Sequence, residues 1–215
     1  MVILFDLDGT LIDSTEAILE SFHNAFRVHD TKSPNDEDIK ALIGHPLDVM
    51  FGSLGVHQEH VWDYVTTYKE HYRKISTQKT LLLPKAREAV TAAKEFATLG
   101  IVTTKTGLYS RILMEHFELM HYFDVLIGRE DVEYPKPHPE PVFKALQGLQ
   151  CDKKDVWMIG DTSLDILAAQ AAGINSIAVL SGYEDEKTLK KFTNIIYSDA
   201  NEAIGYLKRR KSAHL

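Results

Sequence analysis

The first residues able to do chemistry follow directly after the first apolar run of the chain. Val2–Phe5 is short and rich in β-branched and aromatic residues, which is typical of a buried strand. Asp6 and Asp8 come next, followed by Gly9 and Thr10. In open α/β sheets, ligands bind at the carboxyl ends of the strands. Asp6 is therefore a candidate nucleophile or metal ligand, and the backbone N–H groups of Gly9 and Thr10 can face an anion.

Three later segments place polar residues at, or just beyond, the ends of predicted strands. They are Thr103-Thr104-Lys105 after an apolar strand, Lys136 between two prolines, and the segment from Gly160-Asp161 to Asp165. The carboxyl ends of parallel strands meet at one edge of a sheet. We therefore expect these three segments to converge with Asp6 on one edge.

The order of predicted elements indicates an α/β fold with an insertion. Strands and helices alternate from about residue 82 onward, which predicts right-handed crossovers and a parallel sheet. Residues 14–81 show helical periodicity and no convincing strand. The sequence thus predicts a Rossmann-like parallel sheet flanked by helices, formed by residues 1–13 and 82–215. An all-α cap domain, 14–81, is inserted into it.

Proline and glycine set the expected boundaries of several elements. Pro34 is expected at the first position of a helix, and Pro84 is expected to open a helix that runs to Leu99. Gly100 is expected to end that helix, and 101–104 is expected to form the strand before Lys105.

The bulk composition limits the classes of partner. The 215 residues, 44% hydrophobic and 26% charged, are typical of a soluble globular protein. A formal net charge of -7 argues against nucleic acid or an anionic membrane as the main partner. The single cysteine excludes an intrachain disulfide and fits a reducing compartment. The sequence shows no signal peptide and no membrane-spanning run, so we expect a cytoplasmic protein.

Four segments together resemble the haloacid dehalogenase superfamily of phosphotransferases. The DxDGTxxD start at Asp6, the strand ending in Thr103, the KPxP lysine Lys136 and the GDTxxD segment at Asp161 match its four motifs in order. An all-helical insertion after the first motif is similar to the helical cap class of that superfamily. The resemblance covers essentially the whole α/β core.

The aspartates of these segments predict a metal site. Two carboxylates about 4 Å apart repel by roughly 4 kcal/mol at an effective dielectric near 20, and a hard divalent cation relieves this repulsion. An all-oxygen set suits Mg²⁺, with the side chains of Asp6 and Asp161 as ligands. The resemblance adds the backbone carbonyl of Asp8. Asp165 either reaches the metal through water or orients Lys136.

The resemblance also implies a role for each residue in phosphoryl transfer. Asp6 attacks phosphorus and forms an aspartyl-phosphate, while Asp8 protonates the leaving oxygen and then deprotonates the attacking water. Thr103 and Lys136 hold the phosphoryl oxygens, with Thr104 as the alternative to Thr103 in the strand register. Thr10 and backbone N–H groups near Thr104 complete the phosphate cradle, and the helical block acts as a lid.

The helical block supplies one candidate substrate residue, His45. The stretch from Gly44 to Phe51 resembles the substrate-facing cap segment of phosphoglycolate phosphatase-like members. His45 therefore either contacts the substrate or has a plain loop role.

Asp8 favours phosphate chemistry over dehalogenation, because the dehalogenases of this superfamily need no acid at that position. We expect a Mg²⁺-dependent phosphatase acting on a small phosphorylated metabolite, phosphoglycolate first, as a monomer or a homodimer. A β-phosphoglucomutase-like mutase and an inorganic pyrophosphatase of the same superfamily remain as alternatives. A mutase is disfavoured because Arg27 and Arg73 are the only arginines between residues 14 and 81. A non-enzymatic module that senses phosphate or binds a partner is the remaining alternative, and the motif carboxylates argue against it.

Overall fold

The computed structural model describes residues 1–213, which form two compact units. One unit combines residues 1–13 with the chain from Leu82 onward, and the other is Ser14–Leu81. The first unit is an α/β domain and the second is built of helices.

The chain order of the elements is as follows. The strands are β1 Val2–Phe5, β2 Ile12–Asp13, β3 Leu81–Leu82, β4 Thr98–Val102, β5 Val125–Ile127, β6 Val156–Gly160, β7 Asn175–Val179 and β8 Ile196–Tyr197. The helices are α1 Thr15–Val28, α2 Asp36–Lys40, α3 Leu47–Ser53, α4 Val61–Ile75, α5 Ala86–Lys94, α6 Gly107–His116, α7 Glu140–Gly148, α8 Ser163–Ala172, α9 Glu186–Leu189 and α10 Ala200–Ser212.

Six of the strands form one parallel sheet in the order β5-β4-β1-β6-β7-β8. The first strand lies in the interior of the sheet, and the chain moves from it in one direction to β4 and β5. It then returns and moves in the other direction through β6, β7 and β8. The α/β fold class expected from the sequence is confirmed. In such a sheet the ligand site lies where the direction reverses, beyond the carboxyl end of β1.

Alternating residues of β1 supply both hydrophobic layers of this unit. Ile3 and Phe5 face a cluster that includes Ala89 and Val90 of α5 and Ile204 of α10. Val2 and Leu4 face the opposite cluster, which includes residues of α7 and α8 such as Val142, Ala145 and Ala169. Successive residues of β1 thus face opposite sides of the sheet, and both sides are buried. This agrees with the continuous apolar run in the sequence.

The helical unit has its own aromatic core between α1, α3 and α4. Phe22 lies with its ring centroid 4.5 Å from that of Phe51 and 5.0 Å from that of Tyr68. Tyr64 and Tyr72 of α4 are also buried. The aromatic residues that recur along α4 are therefore largely packing residues, while Trp62 remains 62% exposed.

The expected boundaries of α2, α5 and β4 differ in the structure. β4 is Thr98–Val102 and not 101–104, so Thr103 and Thr104 follow the strand. α2 begins at Asp36 and not at Pro34, because Asn35 is the N-cap and its side chain accepts a hydrogen bond from the amide of Asp38. The helix after Pro84 begins at Ala86 and ends at Lys94, and Gly100 lies inside β4 instead of ending that helix. The expectation for Gly100 was wrong because glycine also occurs where neighbouring side chains leave no room for a Cβ atom. A Cβ atom there would lie 2.8 Å from Leu4 Cδ2 and 2.7 Å from Val125 Cγ1.

None of the helices within residues 1–213 combines the length and the apolar character needed to cross a bilayer.

The crowding around Gly100 predicts a cost for any side chain at that position. Gly100→Ala should lower the free energy of unfolding by about 1–3 kcal/mol, because the added methyl overpacks the contact between β1, β4 and β5. Gly205→Ala is the matched control: its Cβ would come no closer than 3.4 Å to the flexible end of Arg209, and the position lies within α10. It should stabilise the protein by about 0.5–1 kcal/mol. Urea unfolding followed by circular dichroism measures both, and an unchanged midpoint for Gly100→Ala would contradict the packing argument.

Candidate active site

Asp6 lies where the sheet order reverses. It directly follows β1, its amide donates a hydrogen bond to the carbonyl of Ile159 in β6 at 2.9 Å, and its residue surface is only 4% exposed. The sheet therefore extends its hydrogen bonding to the residue that carries the carboxylate. This anchoring fixes the backbone of Asp6 at the carboxyl edge.

Asp161 follows β6 and is completely buried. Its Oδ1 accepts a hydrogen bond from the hydroxyl of Thr10 at 3.0 Å, and its Oδ2 accepts one from the amide of Tyr183 at 2.9 Å. Each carboxylate oxygen thus has one donor, from the loop after β1 or the loop after β7. Two separate loops hold the orientation of this side chain.

Two glycines let those loops approach Asp161 closely. Gly9 has a φ of +81°, and a Cβ atom there would lie 2.3 Å from Asp161 Oδ2. A Cβ atom on Gly182 would lie 1.9 Å from the same oxygen. No larger residue fits at either position without displacing the carboxylate. The glycine that follows Asp8 in the sequence therefore serves close packing against Asp161 as well as the turn.

Lys136 brings a buried ammonium to the same edge. Its Nζ lies 2.5 Å from Asp165 Oδ1, 3.0 Å from Asp6 Oδ1 and 3.2 Å from the carbonyl oxygen of Val102. Asp165 Oδ2 accepts hydrogen bonds from the amide and the hydroxyl of Thr162 at the start of α8. The structure thus shows the contact expected if Asp165 orients Lys136, which is one of the two roles open from the sequence.

The three buried carboxylates form a set that suits a hard divalent cation. One oxygen from each of Asp6, Asp161 and Asp165 lies within 4.8 Å of the others. Asp6 Oδ1 receives no hydrogen bond from the described residues, since Lys136 approaches it off the hydrogen-bonding direction although close enough for an ion pair. With all three carboxylates ionised, one ammonium leaves two negative charges uncompensated in the cluster. The donor chemistry and the charge fit Mg²⁺.

The pKa values of these groups reflect the same excess of negative charge. Burial raises the pKa of Asp6 to about 6, although the charge of Lys136 opposes the shift. Burial also raises the pKa of Asp161 well above its usual value, and the charges of Asp165 and Asp6 add to the increase. Burial disfavours the Lys136 ammonium, but Asp165 and Asp6 outweigh it and raise its pKa. Without a bound cation, the cluster therefore carries more negative charge than Lys136 offsets.

The loop after β4 carries Thr103, buried at 5% exposure, whose hydroxyl accepts a hydrogen bond from the amide of Lys105 at 3.2 Å. Lys105 in turn holds Asp8: its Nζ lies 2.8 Å from Asp8 Oδ2, and the two side chains are 8% and 12% exposed. The second aspartate of the first motif thus has its own lysine, distinct from the one beside Asp6.

The structure separates the predicted site residues into groups. It brings together Asp6, Asp161, Asp165 and Lys136, and it ties Thr10 to Asp161. The hydroxyl of Thr10 is thus engaged with a carboxylate, whereas the sequence suggested a phosphate contact. Thr103 and Thr104 follow β4 at the same sheet edge. His45 belongs to the helical unit, and its contact with substrate stays a prediction.

Sequence reasoning placed Lys105 at the correct edge but assigned it no role, and it missed the loop after β7 altogether. In that loop the hydroxyl of Ser181 donates to the carbonyl of Gly9 at 2.8 Å, and Glu184 accepts from both the amide and the hydroxyl of Ser163. The contact of this loop with the carboxylate cluster is made by the amide of Tyr183, which residue identity does not reveal. Gly182 in Leu180-Ser181-Gly182-Tyr183 was the one available signal, since glycine marks a close backbone approach.

Comparisons with known proteins agree with this geometry. Residues 3–179 match the family model described as haloacid dehalogenase-like hydrolase. The chain is 34% identical over 191 residues to a Caldanaerobacter subterraneus protein provisionally named pyrophosphatase PpaX, covering 88% of this chain and 86% of that protein. It is 31% identical over 216 residues to pyrophosphatase PpaX of Bacillus cereus, covering 94% and 98%. A haloacid dehalogenase-like family hydrolase from Streptococcus pneumoniae superposes with a TM-score of 0.86 at 27% identity, covering 96% of this chain and 97% of that one.

The matched region runs from the first strand to the last residue of β7, and so contains all four segments that meet at the sheet edge. The family expected from the sequence is therefore confirmed, and the chain belongs to the haloacid dehalogenase-like hydrolases.

Proposed function

We propose that the protein is a Mg²⁺-dependent phosphatase that hydrolyses a small phosphorylated metabolite through an aspartyl-phosphate on Asp6. The observation that carries the proposal is the buried cluster of Asp6, Asp161 and Asp165 around Lys136 at the reversal point of the sheet. A nucleophilic carboxylate, an ammonium and a cation site in one place are the parts that phosphoryl transfer requires.

The first half-reaction transfers the phosphoryl group to Asp6. A carboxylate oxygen of Asp6 attacks phosphorus, the bond from phosphorus to the leaving oxygen breaks, and Asp8 gives that oxygen its proton. Thr103 and Lys136 hold phosphoryl oxygens while the negative charge shifts toward the leaving group. Asp165 keeps Lys136 in place through the 2.5 Å contact.

The second half-reaction restores the enzyme. Asp8, now ionised, takes a proton from water as the water oxygen attacks the phosphorus of the aspartyl-phosphate. The bond from phosphorus to the Asp6 oxygen breaks, and inorganic phosphate leaves.

The side chains of Asp6 and Asp161 and the backbone carbonyl of Asp8 would hold the Mg²⁺ ion, with Asp165 bound through water or acting only on Lys136. When bound, the ion offsets negative charge on the carboxylates and on the phosphoryl oxygens. Thr10 and the amide of Tyr183 keep Asp161 turned toward the cluster.

Pyrophosphate is a second candidate substrate because of the relatives named pyrophosphatase PpaX, which match over most of their length. Phosphoglycolate and pyrophosphate both present an anionic group beyond the leaving oxygen. A comparison of kcat/KM for phosphoglycolate, pyrophosphate and β-glucose 1-phosphate, measured as phosphate release with Mg²⁺, distinguishes the candidates. The mutase alternative requires conversion of β-glucose 1-phosphate to the 6-phosphate without net phosphate release.

Replacement of the nucleophile should abolish turnover. Asp6→Asn keeps the size of the side chain but removes the attacking carboxylate, so kcat on p-nitrophenyl phosphate with Mg²⁺ should fall by at least about 10³-fold. Asp63→Asn is the matched control, because its side chain is 67% exposed in the helical unit, and it should keep kcat unchanged. Turnover by Asp6→Asn within tenfold of the parent protein would refute the nucleophile assignment.

Metal binding should be visible in the thermal stability without any substrate. Acids with raised pKa values stabilise the fold fully below their unfolded value of 3.8, and that contribution is lost as pH rises through the folded value, about 6 for Asp6. At pH 7.5, above the folded pKa of Asp6, the metal-free protein has therefore lost the contribution of that residue. A Mg²⁺ concentration of 100 times Kd should stabilise it by about 2.7 kcal/mol and raise Tm by about 5–10 °C.

Asp161→Asn tests whether Asp161 is one of the residues that bind Mg²⁺ and so raise Tm. An asparagine can donate to the hydroxyl of Thr10 and still accept from the amide of Tyr183, so the fold should tolerate it. The variant should show a metal-free Tm at or above that of the parent and should lose most of the shift with Mg²⁺. Thermal unfolding by differential scanning calorimetry measures both values. An undiminished Mg²⁺ shift in Asp161→Asn would place the cation elsewhere.

A further inference from the structure

The pair formed by Asp8 and Lys105 lies next to the buried carboxylate cluster but is not part of it. Lys105 Nζ donates a hydrogen bond to Asp8 Oδ2 at 2.8 Å. The two side chains are 8% and 12% exposed, so the pair is shielded from most solvent. An exposed ion pair fluctuates and contributes little, whereas a pair with this little exposure has a restricted geometry.

The backbone of Lys105 is held on both sides. Its amide donates to the hydroxyl of Thr103 at 3.2 Å, and its carbonyl accepts from the amide of Arg129 at 3.0 Å. Thr103 itself is tied to β5, because its amide donates to the carbonyl of Ile127 at 3.0 Å. The ammonium of Lys105 therefore reaches Asp8 from an anchored position.

The two lysines of the site contact different aspartates. Lys136 lies against Asp6 and Asp165, while Lys105 lies against Asp8. The proton-transfer residue needs a fixed carboxyl orientation, because proton transfer requires a donor within hydrogen-bond reach of the leaving oxygen. One hydrogen bond to Oδ2 fixes the rotation of the Asp8 carboxyl group about its Cβ–Cγ bond.

We propose that Lys105 is a positioning residue that orients the carboxyl group of Asp8 for proton transfer to the leaving oxygen. The proposal rests on the proposed function, in which Asp8 is the general acid. In this proposal Lys105 does not contact the phosphoryl group; Lys136 makes that contact.

The test compares two substrates whose leaving groups differ in whether they need a proton to depart. p-Nitrophenolate leaves without one, whereas the alkoxide of an alkyl phosphate such as glycerol 1-phosphate needs one. Because kcat/KM reports the steps up to departure of the leaving group, it isolates this proton transfer from the later hydrolysis of the aspartyl-phosphate. Lys105→Met keeps the length of the unbranched apolar part of the side chain and removes the ammonium. It should lower kcat/KM on glycerol 1-phosphate by about 10- to 100-fold, but on p-nitrophenyl phosphate by less than about threefold.

Two further variants separate positioning from a general loss of structure. Lys94→Met removes another lysine of the α/β unit that pairs with a carboxylate, Asp124 at 2.6 Å, and should leave both kcat/KM values unchanged. Lys105→Met combined with Asp8→Asn should be no slower on glycerol 1-phosphate than Asp8→Asn alone, since an ammonium that acts through Asp8 has nothing left to orient. If Lys105→Met fails to fold by circular dichroism, Lys105→Ala replaces it in the same scheme.

The outcomes separate this inference from the proposed function. If Asp8→Asn discriminates between the two substrates and the Lys105 variant slows both equally or neither, the positioning role is refuted and the acid role of Asp8 stands. If Asp8→Asn itself does not discriminate, the acid assignment fails and the role of Lys105 falls with it. Selective loss in Lys105→Met together with no further loss in the double variant supports the inference.

Discussion

The site depends on an excess of buried negative charge that its own residues do not neutralise. Asp6, Asp161 and Asp165 lie together with one ammonium, Lys136. Burial raises the pKa of Asp6 to about 6, even though the charge of Lys136 opposes the increase. Two like charges at such distances cost several kcal/mol in a medium of reduced dielectric. A fold carries such a cost when the excess charge is used, and in the proposed function a divalent cation would use it as a binding site.

The sheet order explains how residues far apart in sequence share that charge. The chain leaves β1 in one direction for β4 and β5 and in the other for β6 and β7, so the loops after β1, β4, β6 and β7 open on the same edge. The backbone remains hydrogen bonded up to the functional residues, as the amides of Asp6 and Thr103 show. Rigid strands therefore set the positions, and the aspartate and lysine side chains span the remaining distances.

The fold class and the family could be predicted because the patterns that indicate them lie in short stretches of sequence and recur along the chain. Apolar runs mark the buried strands, and polar residues follow those strands at Asp6, Thr103 and Asp161. The sequence could not reveal contacts made through backbone groups, such as the amide of Tyr183 on Asp161. It also could not show that Gly100 lies between Leu4 and Val125, because a glycine inside a strand and a glycine after a helix look the same without neighbours. The sequence placed Lys105 at the right edge but gave it no partner, because a lysine after a strand usually faces solvent.

The two lysines divide the electrostatic work of the site between two aspartates only two residues apart. In the proposed function a single cation shared by Asp6 and Asp8 could not fix the orientation of both, because the nucleophile and the acid act on opposite sides of the phosphorus in an in-line transfer. Lys136 is fixed by Asp165 at the start of α8. Lys105 is fixed by Thr103 on the loop after β4 and by Arg129, which follows β5. Separate anchoring keeps each pair independent, so a change in the charge of Asp6 need not move the carboxyl group of Asp8.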